Sequence, residues 1–285
     1  MHPHPRRLHG AIAAAVTPLR DAGQRLDEDA VSPLVRFLAA GGVDGVLACG
    51  TTGEGVLLSV MERMRLTELF LAARPEGFQI AVHAGAQTTT DTVALAAHAM
   101  DHGADAVAVI APPYFPLDAD ELFRHLLGAA SACEPLPFYV YEFAGRSGYA
   151  IPLEVIHRLR EAAPNLAGLK VSDTPFSAVA PYLVEGLDVF IGSEPLVREG
   201  MAHGALGSVS GLASAWPDVV RDLVHGRDAA PHDRVTAMRD GLAGIPFHAA
   251  LKHVLVARGI LLHGDVRSPL RPITDDERVK VDALG

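Results

Sequence analysis

Short apolar runs alternate along the chain with longer stretches in which apolar positions recur every third or fourth residue. The short runs are Ala11–Val16, Gly45–Cys49, Gln79–Ala84, Ala106–Ile110, Phe138–Tyr141, Leu166–Val171, Val189–Gly192 and Ala205–Ser210. Each is brief and bounded by glycine, proline or polar residues, so each predicts a buried strand. Between them, Ser59–Leu71 sets apolar residues on one stripe and Glu/Arg on the other, and Thr92–Met100, Asp120–Ala132, Leu153–Leu159 and Pro195–Ala202 behave alike. These predict amphipathic helices. Strands alternating with helices imply a parallel sheet, and eight such units over about 220 residues fit a closed barrel. An open doubly wound sheet is the alternative, but no Gly-x-Gly-x-x-Gly follows the first strand. From Trp216 onward the pattern is purely helical, over Pro217–His225, Arg234–Ala243 and Phe247–Ala257. The expected fold is therefore α/β: a (β/α)8 TIM barrel over residues 1–225 with a small C-terminal helical appendage over residues 226–285. Trp216 is expected to pack at the start of the eighth helix.

Composition narrows the function classes. Hydrophobic residues make up 49% of the 285 and charged residues 20%, as in a soluble globular core. The net charge of −10 argues against a nucleic-acid binder, because phosphate contacts need a basic surface. Cys49 and Cys133 lie far apart near apolar stretches and suggest neither a disulfide framework nor a zinc site, which suits a reducing cytosol. No apolar run reaches the roughly 18 residues of a membrane span. The opening Met1-His-Pro-His-Pro-Arg-Arg7 lacks the apolar core of a signal peptide. The expected compartment is the cytoplasm.

Candidate chemistry gathers at the predicted strand ends, where barrel active sites lie. Of the 24 basic residues only Lys170, Lys252 and Lys280 are lysines. Lys170 ends the apolar run Leu166-Ala-Gly-Leu-Lys170. A desolvated lysine can become a neutral amine nucleophile, whereas arginine stays charged. The alternative for Lys170 is a strand-end ion pair with Asp173. Tyr141 ends the fifth strand, beside Lys170 if the strands are adjacent, so its phenol can shuttle protons for Schiff-base chemistry; otherwise it is a core aromatic. Tyr139, on the same face, reads as the core one. Gly50-Thr51-Thr52-Gly53-Glu54 follows a strand and precedes a helix, and its N–H groups and hydroxyls can hold a carboxylate or phosphate. Arg146, in the loop after the fifth strand, can clamp a second carboxylate. The histidines are scattered, and none forms a His-Glu-x-x-His pair or another metal spacing. His83 reads as core, and His102, His248 and His253 as helix-face residues.

With these residues in place, the chain resembles the dihydrodipicolinate synthase / N-acetylneuraminate lyase family of class I aldolases from about Gly10 to Ile273. Gly50–Glu54 matches the family's substrate-carboxylate loop. Pro112-Pro-Tyr114 matches the stretch whose tyrosine enters a neighbouring subunit's site. Tyr141, opening Tyr-Glu-Phe-Ala-Gly-Arg-Ser-Gly148, matches the tyrosine of the Tyr-Asn-x-Pro-x-x-(Thr/Ser)-Gly motif. Gly168-Leu-Lys170 matches the Schiff-base lysine motif, and Gly204–Gly211 the final strand. The resemblance implies Lys170, Tyr141, Thr51 and Tyr114 as catalytic residues. It implies Thr52, Gly50, Arg146, Gly192 and Val209 as substrate-binding residues. It also implies a 2-oxo acid and an aldehyde as substrates, no metal or organic cofactor, and a homotetramer built as a dimer of dimers. Glu142, Ala144, Gly55, Ser214 and Ile245 depart from the family pattern. The reading is a Schiff-base lyase or synthase of the dihydrodipicolinate synthase type, joining pyruvate to aspartate semialdehyde. The alternatives are a 2-keto-3-deoxy sugar-acid aldolase or dehydratase, a sialic-acid-type lyase, or a non-catalytic small-molecule-binding barrel.

Overall fold

The computed structural model describes residues 7–285; the opening residues read for a signal peptide, 1–6, lie outside the described part. Eight parallel strands close into a barrel. They are β1 (Gly10–Ala14), β2 (Gly45–Ala48), β3 (Gln79–His83), β4 (Ala106–Ile110), β5 (Phe138–Glu142), β6 (Leu166–Val171), β7 (Asp188–Ile191) and β8 (Gly207–Ser210). Sequential strands are neighbours, and β1 pairs with both β2 and β8 to close the ring. The helices between and after them are α1 (Val31–Ala40), α2 (Val60–Ala72), α3 (Thr89–Asp101), α4 (Ala119–Ala132), α5 (Leu153–Ala162), α6 (Phe176–Val179), α7 (Val197–Ala202) and α8 (Pro217–His225). The C-terminal helices α9 (Ala230–Gly241), α10 (Phe247–Ala257) and α11 (Asp275–Asp282) follow. No helix among the described residues is long and apolar enough to cross a membrane.

Strand alternation sorts the core into two bodies, because successive side chains face opposite sides of a sheet. Ile12, Ala14, Leu47, Ala81, Ala108, Tyr139, Phe190 and Val209 form one cluster, inside the barrel. Ala11, Ala13, Val46, Ile80, Val82, Val140 and Leu169 join the larger cluster between strands and helices. Alanines recur through the interior, and Tyr139 and Phe190 pack edge to face within it, their ring centroids 5.8 Å apart. The Tyr139 hydroxyl accepts the Leu8 N–H at 3.0 Å, so the core reading of Tyr139 holds.

Besides the short turns at Ala144–Ser147 and Phe176–Val179, three larger features were not expected from the periodicity. Leu19–Arg20 and Arg25–Leu26 form a small antiparallel hairpin after β1. Helix α1 buries Val31, Leu34, Val35 and Leu38. Helix α11 is mostly polar, buries only Val281, and begins at a Thr274/Glu277 capping box, so hydrophobic spacing alone does not reveal it. Conversely, the eighth strand starts at Gly207, two residues later than its apolar run, because Ala205 closes a turn onto the Gly200 carbonyl. Trp216 is buried before Pro217 at the start of α8, as expected, and its indole N–H donates to the Gly285 carbonyl at 2.5 Å.

Candidate active site

The C-terminal ends of β1, β2, β5, β6, β7 and β8 surround a cavity of about 370 Å³. Thr51, Thr52, Tyr141, Arg146, Lys170, Gly192 and Val209, all singled out in the sequence, line it together. Two do not. Gly50 stands one step behind the cavity, where its carbonyl accepts the Gly55 N–H at 3.1 Å. Tyr114 points outward, 81% exposed, at φ 85° and edge to face with Phe115.

Lys170 and Tyr141 are register partners on adjacent parallel strands, which forces their side chains onto the same face. Lys170 is buried, and its Nζ lies 3.8 Å from the centre of the Tyr141 ring. The alternative ion pair with Asp173 does not form. Asp173 instead accepts the Ala144 and Gly145 N–H groups at 3.2 and 3.5 Å, capping the helical turn that carries Arg146. The Tyr141 hydroxyl meets Thr51 Oγ1 at 3.2 Å. Behind Tyr141 lies His83, at 5.8 Å between ring centres. Burial, with the nearby charges of Arg63 and Lys170, holds the His83 imidazole well below its ordinary pKa. A neutral His83 can then donate Nδ1–H to the Cys49 carbonyl, 3.2 Å away. It braces the loop without lining the cavity.

The Thr51–Thr52 loop is held in an unusual backbone. Cys49 and Glu54 both adopt left-handed φ, near 59° and 57°. A Cβ on Gly55 would sit 1.9 Å from the Cys49 carbonyl oxygen, so this chain needs glycine where the family pattern has serine. The loop is anchored from the C-terminal region. Buried Lys252 on α10 pairs with buried Glu54 at 2.5 Å and donates to the Asp265 carbonyl at 2.6 Å. Glu54 also accepts the Arg267 N–H at 2.7 Å. The two buried lysines therefore differ sharply: Lys252 is consumed by an ion pair, whereas Lys170 faces an aromatic ring and the cavity.

Several cavity residues escaped the sequence reading. His248 is no mere helix-face residue: its Nε2 lies 3.0 Å from the Thr51 carbonyl, and burial lowers its pKa. Arg239, from α9, and Phe247 also line the cavity, with the guanidinium 4.3 Å from the Phe247 ring centre. Arg239 is held by fully buried Glu194, through Nε and Nη2 at 2.6 Å each. The Ser210 hydroxyl and the Leu212 N–H complete the Glu194 shell at 2.6 and 3.0 Å. Burial pushes the Glu194 carboxyl up, but these partners outweigh it and hold it below its ordinary value. The only available sequence signal was Glu194's place at a strand end; nothing local marked Arg239 as its partner.

Two departures from the family pattern have structural roles. Ser214 accepts the Val16 N–H at 3.0 Å, tying the end of the barrel's last strand to its first. Glu142, beside Tyr141, points away from the cavity and accepts the Ile151 N–H at 2.8 Å. Burial pushes its carboxyl up to about 8, so it is largely neutral at pH 7.

A buried lysine, a tyrosine and a threonine pair thus meet at the strand-end face where barrel enzymes carry their active sites. The model of the dihydrodipicolinate synthetase family matches residues 7–284, and the chain belongs to that family of class I aldolase-type lyases. It is 34% identical to an uncharacterized DapA-like lyase of Halobacterium salinarum, over 98% of this chain and 93% of that one. It is 31% identical to 4-hydroxy-tetrahydrodipicolinate synthase of Chloroherpeton thalassium, over 98% and 94%. Among solved structures, Proteus mirabilis N-acetylneuraminate lyase superposes with a TM-score of 0.87 at 30% identity, over 98% of both chains. Dihydrodipicolinate synthase of Aquifex aeolicus superposes at 0.91 with 24% identity, over 97% of both, which speaks to the fold alone.

Proposed function

We propose that Lys170 forms a Schiff base with a 2-oxo acid, most simply pyruvate, and that the enzyme joins it to, or releases it from, an acidic aldehyde. The observation that carries this reading is the setting of Lys170: buried, without a carboxylate partner among the described residues, and with its Nζ 3.8 Å from the centre of the Tyr141 ring. The neutral amine attacks the ketone carbon, and the resulting carbinolamine loses water to give an iminium. Loss of a proton from the neighbouring carbon then gives the enamine, whose carbon attacks the aldehyde; cleavage runs the same steps backwards. Tyr141, hydrogen-bonded to Thr51, protonates the departing hydroxyl and receives the proton back. The Thr51 and Thr52 amides and hydroxyls hold the carboxylate of the 2-oxo acid. The iminium formed on the lysine is the electron sink, so the scheme calls on no metal or organic cofactor.

Arg146 supports an acidic partner, with aspartate semialdehyde the specific candidate. A hydroxylated aldehyde, as released from a 2-keto-3-deoxy sugar acid or a sialic acid, is the second reading. Glu194 favours it: this is the carboxylate lining the cavity, and both its oxygens are spent on Ser210, Leu212 and Arg239. A substrate ammonium group would therefore find no counter-charge there. Pyruvate consumption and release, followed over a panel of carboxylated and polyhydroxylated aldehydes, separates the two. Turnover of no 2-oxo acid with any aldehyde would end the reading altogether.

Arg146 itself is exposed, and its guanidinium lies 5.6 Å from the Phe143 ring centre. Its replacement should leave the fold intact. Arg146→Ala should raise KM for a carboxylated aldehyde about 10–100-fold, the worth of a charge-assisted hydrogen bond. Pyruvate trapping should be unchanged; a parent-like KM would show that the guanidinium is only a solvated loop residue.

Assembly belongs to the same proposal. Val56, Met61, Tyr114 and Phe115 are all exposed, and all follow β2 or β4 at the site end of the barrel. This apolar group supports a tight dimer in which Tyr114 enters the neighbour's site, within a tetramer built from such dimers. Sedimentation at assay concentration should find no active monomer. Full activity in a monomer would contradict the shared phenol. The two buried free thiols support a reducing, cytoplasmic setting.

A further inference from the structure

On the outer helical layer, Glu68 of α2, His98 of α3 and His102, the residue that caps α3, converge. We propose that these three side chains form a site for one borderline divalent transition-metal ion, of the zinc, nickel, cobalt and copper class. His98 and His102 are four residues apart, so one helical turn sets them on the same face. Their rings stack with centroids 4.0 Å apart. Glu68 Oε1 lies 3.3 Å from His98 Nε2 and 4.0 Å from His102 Nε2. One donor atom from each residue falls within 4.8 Å of the other two. The pair has the i, i+4 spacing of two helical ligands but escapes a search for His-Glu-x-x-His because Ala99 follows His98; the carboxylate comes from the neighbouring helix.

Hydrogen bonds around the cluster orient it for coordination. His102 Nδ1 lies 2.9 Å from the His98 carbonyl. A carbonyl only accepts, so Nδ1 carries the proton and the Nε2 lone pair is free, as in metal-bound histidines braced by a backbone carbonyl. Glu68 Oε2 is tied to Arg65 Nη1 at 3.1 Å, which leaves Oε1 facing the imidazoles. The Arg65 charge is itself met by Glu28 at 2.6 Å. His98 is mostly buried and holds its place, while the partly exposed His102 and Glu68 can rotate inward. Bonds of about 2.0–2.2 Å to one ion require the stacked rings to turn so that their Nε2 atoms converge, and the ion to displace the proton that His98 Nε2 donates to Glu68 Oε1. Two imidazoles and one carboxylate suit zinc, nickel, cobalt or copper, whereas magnesium and calcium prefer all-oxygen shells. Three protein ligands leave open positions for water. None of the three residues lines the cavity at Lys170, so a bound ion would tie α2 to α3 rather than take part in turnover.

The test is titration of the chelator-stripped protein with nickel(II) and cobalt(II), read by calorimetry, by the visible spectrum of bound cobalt and by melting temperature. One ion per chain should bind, cobalt should develop an imidazole-type d–d band, and the melting temperature should rise with metal concentration. His102→Ala, at an exposed helix end, should abolish all three effects, and Glu68→Gln should weaken them. Aldolase activity should be the same with and without metal, and magnesium should produce no shift. Absence of saturable binding, or binding that survives His102→Ala unchanged, would overturn the site.

Discussion

Sodium borohydride added together with pyruvate should leave one reduced pyruvyl group per chain, on Lys170. Lys170→Ala should carry none and lose turnover by a factor on the order of 10⁶, comparable to removing other covalent nucleophiles. The expectation rests on the contrast between the two buried lysines. Lys252 is fixed between Glu54 and the Asp265 carbonyl, and its amine is not presented to the cavity. Lys170 lines the cavity beside the Tyr141 ring. Trapping should be insensitive to chelators, because the iminium itself supplies the electron sink. Peptide mapping of the reduced adduct decides the matter. Recovery on Lys252, or no adduct with any 2-oxo acid, would sink the Schiff-base assignment.

Tyr141→Phe should lower kcat by about 10²–10⁴-fold, the usual worth of a positioned acid–base group. The substitution keeps the ring that packs beside His83 and under Lys170 and removes only the hydroxyl bonded to Thr51. Stability should therefore fall by only about 1 kcal/mol, the net value of one hydrogen bond. Borohydride trapping should proceed slowly but to completion, since the amine remains. That combination of slow chemistry, an intact adduct and a nearly unchanged melting temperature distinguishes a proton shuttle from a packing residue. Parent-like kcat in the phenylalanine variant would show the phenol to be ordinary barrel core.

The barrel and its reactive strand ends were legible in the sequence because both are encoded locally. A short apolar run bounded by glycine or polar residues and alternating with amphipathic stretches reads as a strand, and the residue at its end is placed by that reading. Lys170, Tyr141 and the Thr51–Thr52 loop were found this way, and strand register then brought the first two together. Tyr114 was legible only through family resemblance, and within one chain its ring faces solvent. The rest of the cavity is not local. Glu194 pairs with Arg239 across 45 residues, and His248 meets Thr51 across 197. Amphipathic spacing tells which face of α9 or α10 is apolar; it carries no information about which loop that helix will cover. The same limit hid Glu68 as the third member of its cluster; the local i, i+4 pair of His98 and His102 was in the sequence, but nothing there joined it to a carboxylate on another helix. The sequence alone thus determined the barrel and placed a lysine at the end of its sixth strand, through short-range periodicity and through a lysine spared where arginine is the rule. Only the tertiary structure decided which distant residues close the rest of the cavity, because packing between distant helices chooses those neighbours.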